Sequence, residues 1–149
     1  MPDPSINPVL IEKFWESIPP AWRITRNQIR RIAVEKFQMT EEQFQVLRRI
    51  HRGSTSVSSL AEASQTSRSA VSKAVDSLVH KGLVARQQDL ADRRNIPLAL
   101  TEEGQRVLDA IFMEAEVWLT ARFACLTPEE TNSLLQGMEN LQKVFSASH

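Results

Sequence analysis

Apolar side chains recur every three or four residues along most of the chain, and this spacing predicts amphipathic helices. The cap Asn7 and the proline after it predict a short helix over residues 8–18. The Pro19-Pro20 pair is expected to end that helix, because proline disfavours helical geometry in the residue before it. A second helix is then predicted over residues 21–37.

The middle of the chain predicts three more helices. Residues 40–43 (TEEQ) match a capping box, and the helix that they begin can end at Gly53. A short helix is expected over residues 57–64. Ser67 caps the next one, whose apolar stripe continues until Gly82 provides a stop.

After Gly82 the pattern changes from helical spacing to alternation. Residues 83–87 and 96–100 are predicted to form two strands of a hairpin, joined by the polar and charged residues 88–95. Pro97 has no amide donor, so its strand is expected at an edge or with the missing donor facing outward.

Two helices are predicted after the hairpin. Thr101 caps a long helix that runs to about residue 124, and Thr127 begins a capping box for the last helix. The first and last helices of the chain carry larger apolar faces than a small central module needs. These faces are expected to pack on each other or on a second copy of the chain, most simply as a symmetric homodimer.

The predicted elements follow the order of a winged helix-turn-helix: helix, helix, turn and helix, and then strand, loop and strand. We therefore expect a mainly α fold with a small β-hairpin wing, in one domain over residues 1–149. The winged helix-turn-helix lobe is predicted at residues 40–104. N- and C-terminal dimerisation helices are predicted to flank it, at residues 8–39 and 105–146.

Composition and charge narrow the class of protein. The 149 residues are 42% hydrophobic and 24% charged, which is ordinary for a globular protein. The net charge is zero, but residues 48–106 hold ten Lys and Arg against six Asp and Glu. A basic middle permits a local phosphate-binding face, although ordinary solvated charge explains it equally well.

No apolar run is long enough to cross a membrane, and the start of the chain lacks the pattern of a secretory signal. The single cysteine, Cys125, excludes an intrachain disulfide and a multi-cysteine zinc site. The three histidines have no metal-ligand spacing with Cys125, so we expect neither a metal nor another cofactor. These features predict a cytoplasmic protein without membrane contact.

Five fragments of the chain, taken in order, carry a family resemblance. They are Leu60-Ala61, residues 67–73, residues 78–84 followed by Arg86, Asp92-Arg93-Arg94, and residues 98–104. Together they resemble the multiple-antibiotic-resistance regulator (MarR) family of bacterial transcription factors. The resemblance implies a homodimer that binds a pseudo-palindromic operator. It also implies that many members release DNA when a small molecule or an oxidant is sensed.

The helix that begins after Ser67 has a physical case for DNA contact that does not depend on the resemblance. When Val71, Val75 and Leu78 face the core, its outer face is polar and basic. Such a helix fits the major groove, where Arg and Lys donate to guanine and hydroxyls adapt to bases or phosphates. The candidate DNA-binding residues are Ser67, Arg68, Ser69, Ser72 and Lys73. An ordinary polar surface is the alternative.

The predicted wing places Arg93 and Arg94 at the tip of the hairpin. Arginine is favoured in narrow, electronegative minor grooves, and we expect Arg94 to be the inserted residue. Asp92 is expected to support the wing by pairing with a neighbouring guanidinium. A solvated charged turn is the alternative.

Several other residues keep two interpretations each. The cluster Arg48, Arg49 and Arg52 either contacts the DNA backbone or pairs with local acids. Arginines on the preceding helix are expected to need acids from another element: Arg23, Arg26, Arg30 and Arg31. The tryptophans fall on the proposed dimerisation helices, where packing is favoured over an effector cleft: Trp15, Trp22 and Trp118. A redox role for Cys125 is not favoured.

These features predict a homodimeric DNA-binding regulator. The resemblance to the MarR family implies that it is a repressor and that its effector, if it has one, is a small aromatic or apolar molecule. The alternative is a winged-helix scaffold that binds protein without reading DNA; the exposed arginines and lysine argue against it. An enzyme is not expected, because the sequence has no phosphate-cradling loop, nucleophile motif or metal cluster.

Overall fold

The computed structural model describes residues 5–87 and 97–146. Within those residues the chain forms six helices and one two-stranded antiparallel sheet. The elements are α1 (Pro8–Phe37), α2 (Glu41–His51), α3 (Val57–Ser64), α4 (Arg68–His80), β1 (Val84–Arg86), β2 (Leu98–Leu100), α5 (Glu102–Phe123) and α6 (Pro128–Ser146). The prediction of a mainly helical winged helix-turn-helix is confirmed.

The structure of α1 shows that one prediction, a break between two helices, is wrong. The helix runs unbroken through Pro19 and Pro20, where the sequence predicted that break. The two prolines remove the amide donors that would bond the carbonyls of Trp15 and Glu16, four residues earlier. Both of those residues are exposed, so water can solvate the two carbonyls. The restriction that proline places on Ile18 is a preference, and it did not end the helix.

The core lies where the second half of α1 meets α2, α3 and α4. Ile29, Ile32 and Ala33 of α1 are buried there. The largest fully buried side chains of the helix-turn-helix are Phe44, Leu47, Leu60, Val71, Val75 and Leu78. These are the positions at which the helical spacing of the sequence placed apolar residues facing inward.

The hairpin is short and closes onto the helices. Val84 pairs with Leu100, and Arg86 pairs with Leu98. The Leu98 amide donates to the Thr55 carbonyl at 2.8 Å, so the outer edge of β2 is tied to the segment before α3. Gln87 N–H donates to the Pro97 carbonyl at 2.8 Å, so Pro97 acts as an acceptor here.

Chain contacts divide the protein into two units, residues 1–115 and 116–149. The first unit holds the core described above, to which α5 contributes the buried Leu108, Ile111 and Ala115. The second unit holds the end of α5 and all of α6, which begins with the predicted Thr127 capping box. The assignment of the whole chain to one domain stays a prediction.

Large apolar side chains remain exposed on the first half of α1 and on α6. Trp15, Leu10 and Val9 are each more than half exposed, and α6 has no buried residue. Among the helices of residues 5–87 and 97–146, none has the length and hydrophobicity of a membrane-crossing segment.

Candidate nucleic-acid interface

The turn between α3 and α4 sets where α4 begins. Gln65 takes a left-handed backbone conformation (φ 52°) that ends α3, a role more often filled by glycine or asparagine. Ser67 then caps α4: its side-chain oxygen accepts from the Ala70 amide at 3.2 Å. The predicted cap and the predicted turn are both confirmed.

The two faces of α4 differ as the sequence predicted. Its inner face buries Val71, Ala74, Val75 and Leu78 in the core. This burial fixes the rotation of the helix about its own axis, so the polar face must point away from the core. A two-faced, firmly packed helix of 13 residues suits presentation to a groove of DNA.

Side chains from α2 hold α4 from one side. Gln43 completes the Thr40 capping box and also donates through Nε2 to Ser77 Oγ at 3.0 Å. Lys81 donates through Nζ to Gln43 Oε1 and to the Gln38 carbonyl, both at 3.0 Å. Each bond is modest, but together they fix the register of α4 against α2.

A charged pair holds α4 from the hairpin side. Arg86 of β1 donates through Nη2 to Asp76 Oδ1 of α4. At the end of the hairpin, Thr101 Oγ1 donates to the Gly82 carbonyl at 2.6 Å and caps α5 by accepting from the Gly104 amide at 3.0 Å. The wing strands are therefore tied directly to the end of α4.

The predicted DNA-binding residues of α4 occupy different environments. Ser69 and Lys73 are exposed, and Ser72 is half-buried. Arg68 is exposed, but its Nη2 donates to Ser58 Oγ of α3. Ser67 is committed to the cap, with its hydroxyl 3.3 Å from that of Ser69. Lys73 is therefore the basic side chain of this face that has no bonded partner among the described residues.

The predicted wing tip, with Asp92, Arg93 and Arg94, lies outside the described residues. The strands on either side of it are paired, and the Gln87–Pro97 bond closes the ladder at the last described positions. The role of Arg94 in the minor groove and that of Asp92 as a support stay predictions.

Five arginines of α1, α2 and the residue after α2 lie close together: Arg26, Arg30, Arg48, Arg49 and Arg52. Arg30 pairs with Glu41 of α2 at 3.2 Å, as expected for an arginine that needs an acid from another element. Within residues 5–87 and 97–146, the other four have no carboxylate at ion-pair distance. Local acids therefore do not neutralise Arg48, Arg49 or Arg52 in this part of the chain.

Arg48 of this cluster lies against two aromatic rings. Its guanidinium carbon is 5.7 Å from the centre of the Phe44 ring and 5.9 Å from that of Phe112. Burial, and then the charges of the surrounding arginines, lower the pKa of Arg48 below its usual value. The group still carries its charge at neutral pH, because the ordinary pKa of arginine is so high.

The tryptophans and Cys125 do not form one site. Trp15 and Trp22 are exposed, and Trp22 borders a cleft whose other walls are mostly basic. Trp118 stacks with Arg122 of its own helix at 4.9 Å. Cys125 is exposed, and its thiol donates to the Arg122 carbonyl at 3.3 Å. The cleft beside Trp22 has no second aromatic residue in its lining, and the effector cleft that the sequence kept as an alternative stays a prediction.

Sequence reasoning missed three residues that position α4: Ser58, Gln43 as a bridge, and Arg86 as the partner of Asp76. Gln43 was found only as a cap, because a capping box is a local pattern. The other contacts join residues ten positions apart across a turn, and no periodicity marks such pairs.

Comparisons with known proteins agree with this geometry. The MarR family model matches residues 39–96. The chain is 34% identical over 117 residues to the HTH-type transcriptional repressor MdtR of Bacillus subtilis, covering 78% of this chain and 74% of MdtR. Its fold resembles the transcriptional regulator Tm0710 of Thermotoga maritima (TM-score 0.82, 22% identity, 91% of this chain and 95% of that one).

A second solved structure has the same fold with a lower score. It is Staphylococcus aureus MarR in complex with salicylate and kanamycin (TM-score 0.61, 17% identity, 95% of this chain and 96% of that one). At these identities, the two structural likenesses establish the fold alone.

A helix packed on one face and polar on the other, tied to a β-hairpin, defines a winged helix-turn-helix transcriptional regulator of the DNA-binding type. Together with the match to MdtR, this shows that the chain belongs to the MarR family. The family and these relatives are transcriptional regulators. At the level of the family, this agrees with the expectation that the chain is not an enzyme.

Proposed function

We propose that this protein is a homodimeric repressor that binds a pseudo-palindromic operator through two copies of α4. Each α4 enters a major groove, and Ser67, Arg68, Ser69, Ser72 and Lys73 form its contact surface. Each wing reaches the flanking minor groove through Arg93 and Arg94, with Asp92 as support. A DNA-bound regulator shares the compartment of its DNA, so the protein acts in the cytoplasm in a cell like that of its Bacillus relatives.

One observation carries this proposal: the polar face of α4 is left open while its apolar face is locked in the core. Lys73 and Ser69 are exposed on that open face. The bonds from Gln43 and Arg86 fix the helix on both sides without covering Lys73. A recognition surface must be held rigidly and left uncovered, and α4 meets both conditions.

The exposed apolar faces support the proposed dimer. The first half of α1 exposes Leu10 and Trp15, and α6 exposes Leu135, Met138 and Phe145. Apolar surface of this extent on a monomer is costly, and a second copy is a self-complementary cover for it. Two-fold pairing also places two recognition helices on one duplex.

The proposal that an effector releases the protein from DNA rests on similarity to a relative with the same fold. The Staphylococcus aureus relative was solved with salicylate and kanamycin, so at least one member of this fold binds small molecules. An effector controls DNA binding only to the extent that it binds the two states of the dimer with different affinity.

The test begins with selection of bound fragments from genomic DNA by the purified full-length protein. Binding of the selected site is then compared between wild type, Lys73→Gln, Arg94→Ala and the control Lys143→Gln, which removes the same charge from exposed α6. Lys73→Gln is expected to weaken binding about tenfold and to lower the salt slope by about 1, because one phosphate or base contact is lost. Arg94→Ala is expected to weaken binding without loss of fold.

The control should bind like the wild type. Selection of no sequence at physiological salt would contradict the proposal and favour the scaffold alternative. If Lys73→Gln and the wild type bind the selected site with equal affinity, the proposed role of α4 in the DNA interface is contradicted.

A further inference from the structure

Two basic side chains of α4 differ in how firmly the protein holds them. Lys73 is exposed and has no bonded partner among the described residues. Arg68, the first residue of α4, is also exposed, but its Nη2 donates to Ser58 Oγ of α3. A single hydrogen bond of this kind adds little to the stability of the fold. Its main consequence is that it restricts the orientation of the Arg68 guanidinium.

The acceptor of this bond is itself fixed in place. Ser58 is half-buried in the first turn of α3, which Ser56 and Ser59 begin with a reciprocal capping box (3.0 and 3.3 Å). Directly before that box, the Thr55 carbonyl accepts from the Leu98 amide of β2 at 2.8 Å. The Ser58 hydroxyl therefore belongs to a segment that is bonded both within α3 and to the wing strand.

The backbone that carries Arg68 is fixed as well. In the turn before α4, the Thr66 amide donates to the Ala61 carbonyl at 3.2 Å, and the Thr66 hydroxyl donates to the Ser64 carbonyl at 3.1 Å. Ser67 then caps α4. Both ends of the bond between α3 and α4 thus lie on bonded backbone, so the bond sets the direction of the guanidinium relative to α4.

A guanidinium held in this way keeps most of its donors. Arginine has five N–H donors in one plane, and the Ser58 oxygen occupies one of them. Two parallel N–H donors match the O6 and N7 acceptors of guanine in the major groove. In helix-turn-helix proteins, the N-terminal residues of the recognition helix contact base edges. The place of Arg68 on α4 and its held orientation therefore suit the reading of a base.

We propose that Ser58 is a positioning residue, which holds Arg68 for the recognition of one guanine in each half-site of the operator. Because the guanidinium is oriented before it meets DNA, less side-chain freedom is lost when it binds the correct base. Ser58 acts through Arg68 and needs no contact of its own with DNA. This inference rests on the proposed function and deepens it, since it assigns the reading of one base pair to a bond between α3 and α4.

The experiment measures the affinity of the full-length protein for the selected operator and for a panel in which each base pair of the half-sites is replaced in turn. The variants are Arg68→Lys, Ser58→Ala, Ser58→Thr and Thr55→Ala. Arg68→Lys keeps the charge but lacks the planar fork of the guanidinium. Thr55→Ala is the control, because it removes an exposed hydroxyl three residues before Ser58 and keeps the Thr55 carbonyl.

We expect the wild type to discriminate about tenfold or more against replacement of one G·C pair, and Arg68→Lys to lose discrimination at that pair alone. Ser58→Ala should reduce the discrimination there by about threefold, because one hydrogen bond is lost. Its salt slope and its discrimination at the other pairs should not change, because it removes no charge. Ser58→Thr keeps the hydroxyl and should behave like the wild type, and so should Thr55→Ala.

A measurement without DNA tests the bond itself. Nitrogen NMR of the arginine-labelled protein reports the rotation of guanidinium groups about their Cζ–Nη bonds. For Arg68 this rotation should be slower in the wild type and in Ser58→Thr than in Ser58→Ala. Circular dichroism of the same samples shows that the variants are folded.

Four results would overturn this inference. They are unchanged discrimination by Arg68→Lys at every base pair, unchanged discrimination by Ser58→Ala at the Arg68 pair, equal loss by Ser58→Ala at all pairs, and equal rotation of Arg68 in the wild type and Ser58→Ala. The third would give Ser58 a merely structural role. Selection of no operator would contradict the proposed function, and base reading by Arg68 with it. A selected operator together with any of the four results would contradict this inference alone.

Discussion

At the scale of single residues, the packing of α5 against the segment between α4 and β1 depends on Gly104. A Cβ built at this glycine would lie 2.0 Å from the backbone oxygen of Leu83. That oxygen also accepts the Thr101 amide at 3.1 Å, so it sits where the chain passes from the hairpin into α5. The absence of a side chain at residue 104 is what lets α5 approach β1 this closely.

Replacing Gly104 by alanine is expected to destabilise the protein by about 2–4 kcal/mol, because backbone must move to admit the methyl group. Gly137→Ala is the matched control: it is also a helical glycine, and nothing lies within 4 Å of its added Cβ. The control should leave the protein unchanged or stabilise it by up to about 1 kcal/mol. Urea denaturation followed by circular dichroism measures both, and equal stabilities of the two variants would contradict the close contact.

At the scale of elements, the caps were the most predictable feature and the first helix the least. Capping boxes at Thr40 and Thr127, and the cap at Ser67, follow from residues three apart, and the structure has all three. The continuity of α1 through Pro19-Pro20 depends on packing of its second half and on solvation of two carbonyls. The rule that proline disfavours helical geometry in the residue before it takes account of neither the packing nor the solvation.

A double variant tests the unbroken α1. Pro19→Ala/Pro20→Ala restores two amide donors in the middle of a helix and removes two rings that crowd the preceding turn. The unfolding free energy is expected to rise by at least about 2 kcal/mol, a cautious fraction of the helix-propensity difference. Pro8→Ala is the control, since proline is well tolerated in the first turn, and it should change stability by less than about 0.5 kcal/mol. A decrease in stability of the double variant would favour two separate helices.

At the scale of the whole molecule, the sequence predicted the winged helix-turn-helix and the polar face of α4, because helical and alternating periods are strong signals over residues 40–104. The cluster formed by Arg26, Arg30, Arg48, Arg49 and Arg52 could not be predicted. These arginines come from two helices and the residue after the second, and only the packing of those elements brings them together. Likewise, the structure shows that α6 exposes large apolar side chains, but dimerisation stays a proposal.

The proposed dimer predicts different effects for two substitutions on α6. Leu135→Glu places a carboxylate in the apolar face and should raise the dimer dissociation constant at least about a hundredfold. Ser133→Glu adds the same charge on the opposite side of the helix and should have little effect. Sedimentation velocity over a concentration series measures both. A wild-type protein that sediments as a monomer at every concentration would contradict the proposed assembly.

The central claim, that α4 reads the major groove twice on one duplex, is tested most directly by methylation interference at guanine N7 on the selected operator. N7 lies in the major groove, so methylation there blocks a helix inserted into it. We predict two interfering clusters related by a two-fold axis, with centres about 10 base pairs apart, and weaker interference with Lys73→Gln. A single cluster, or none in the presence of tight binding, would contradict the account.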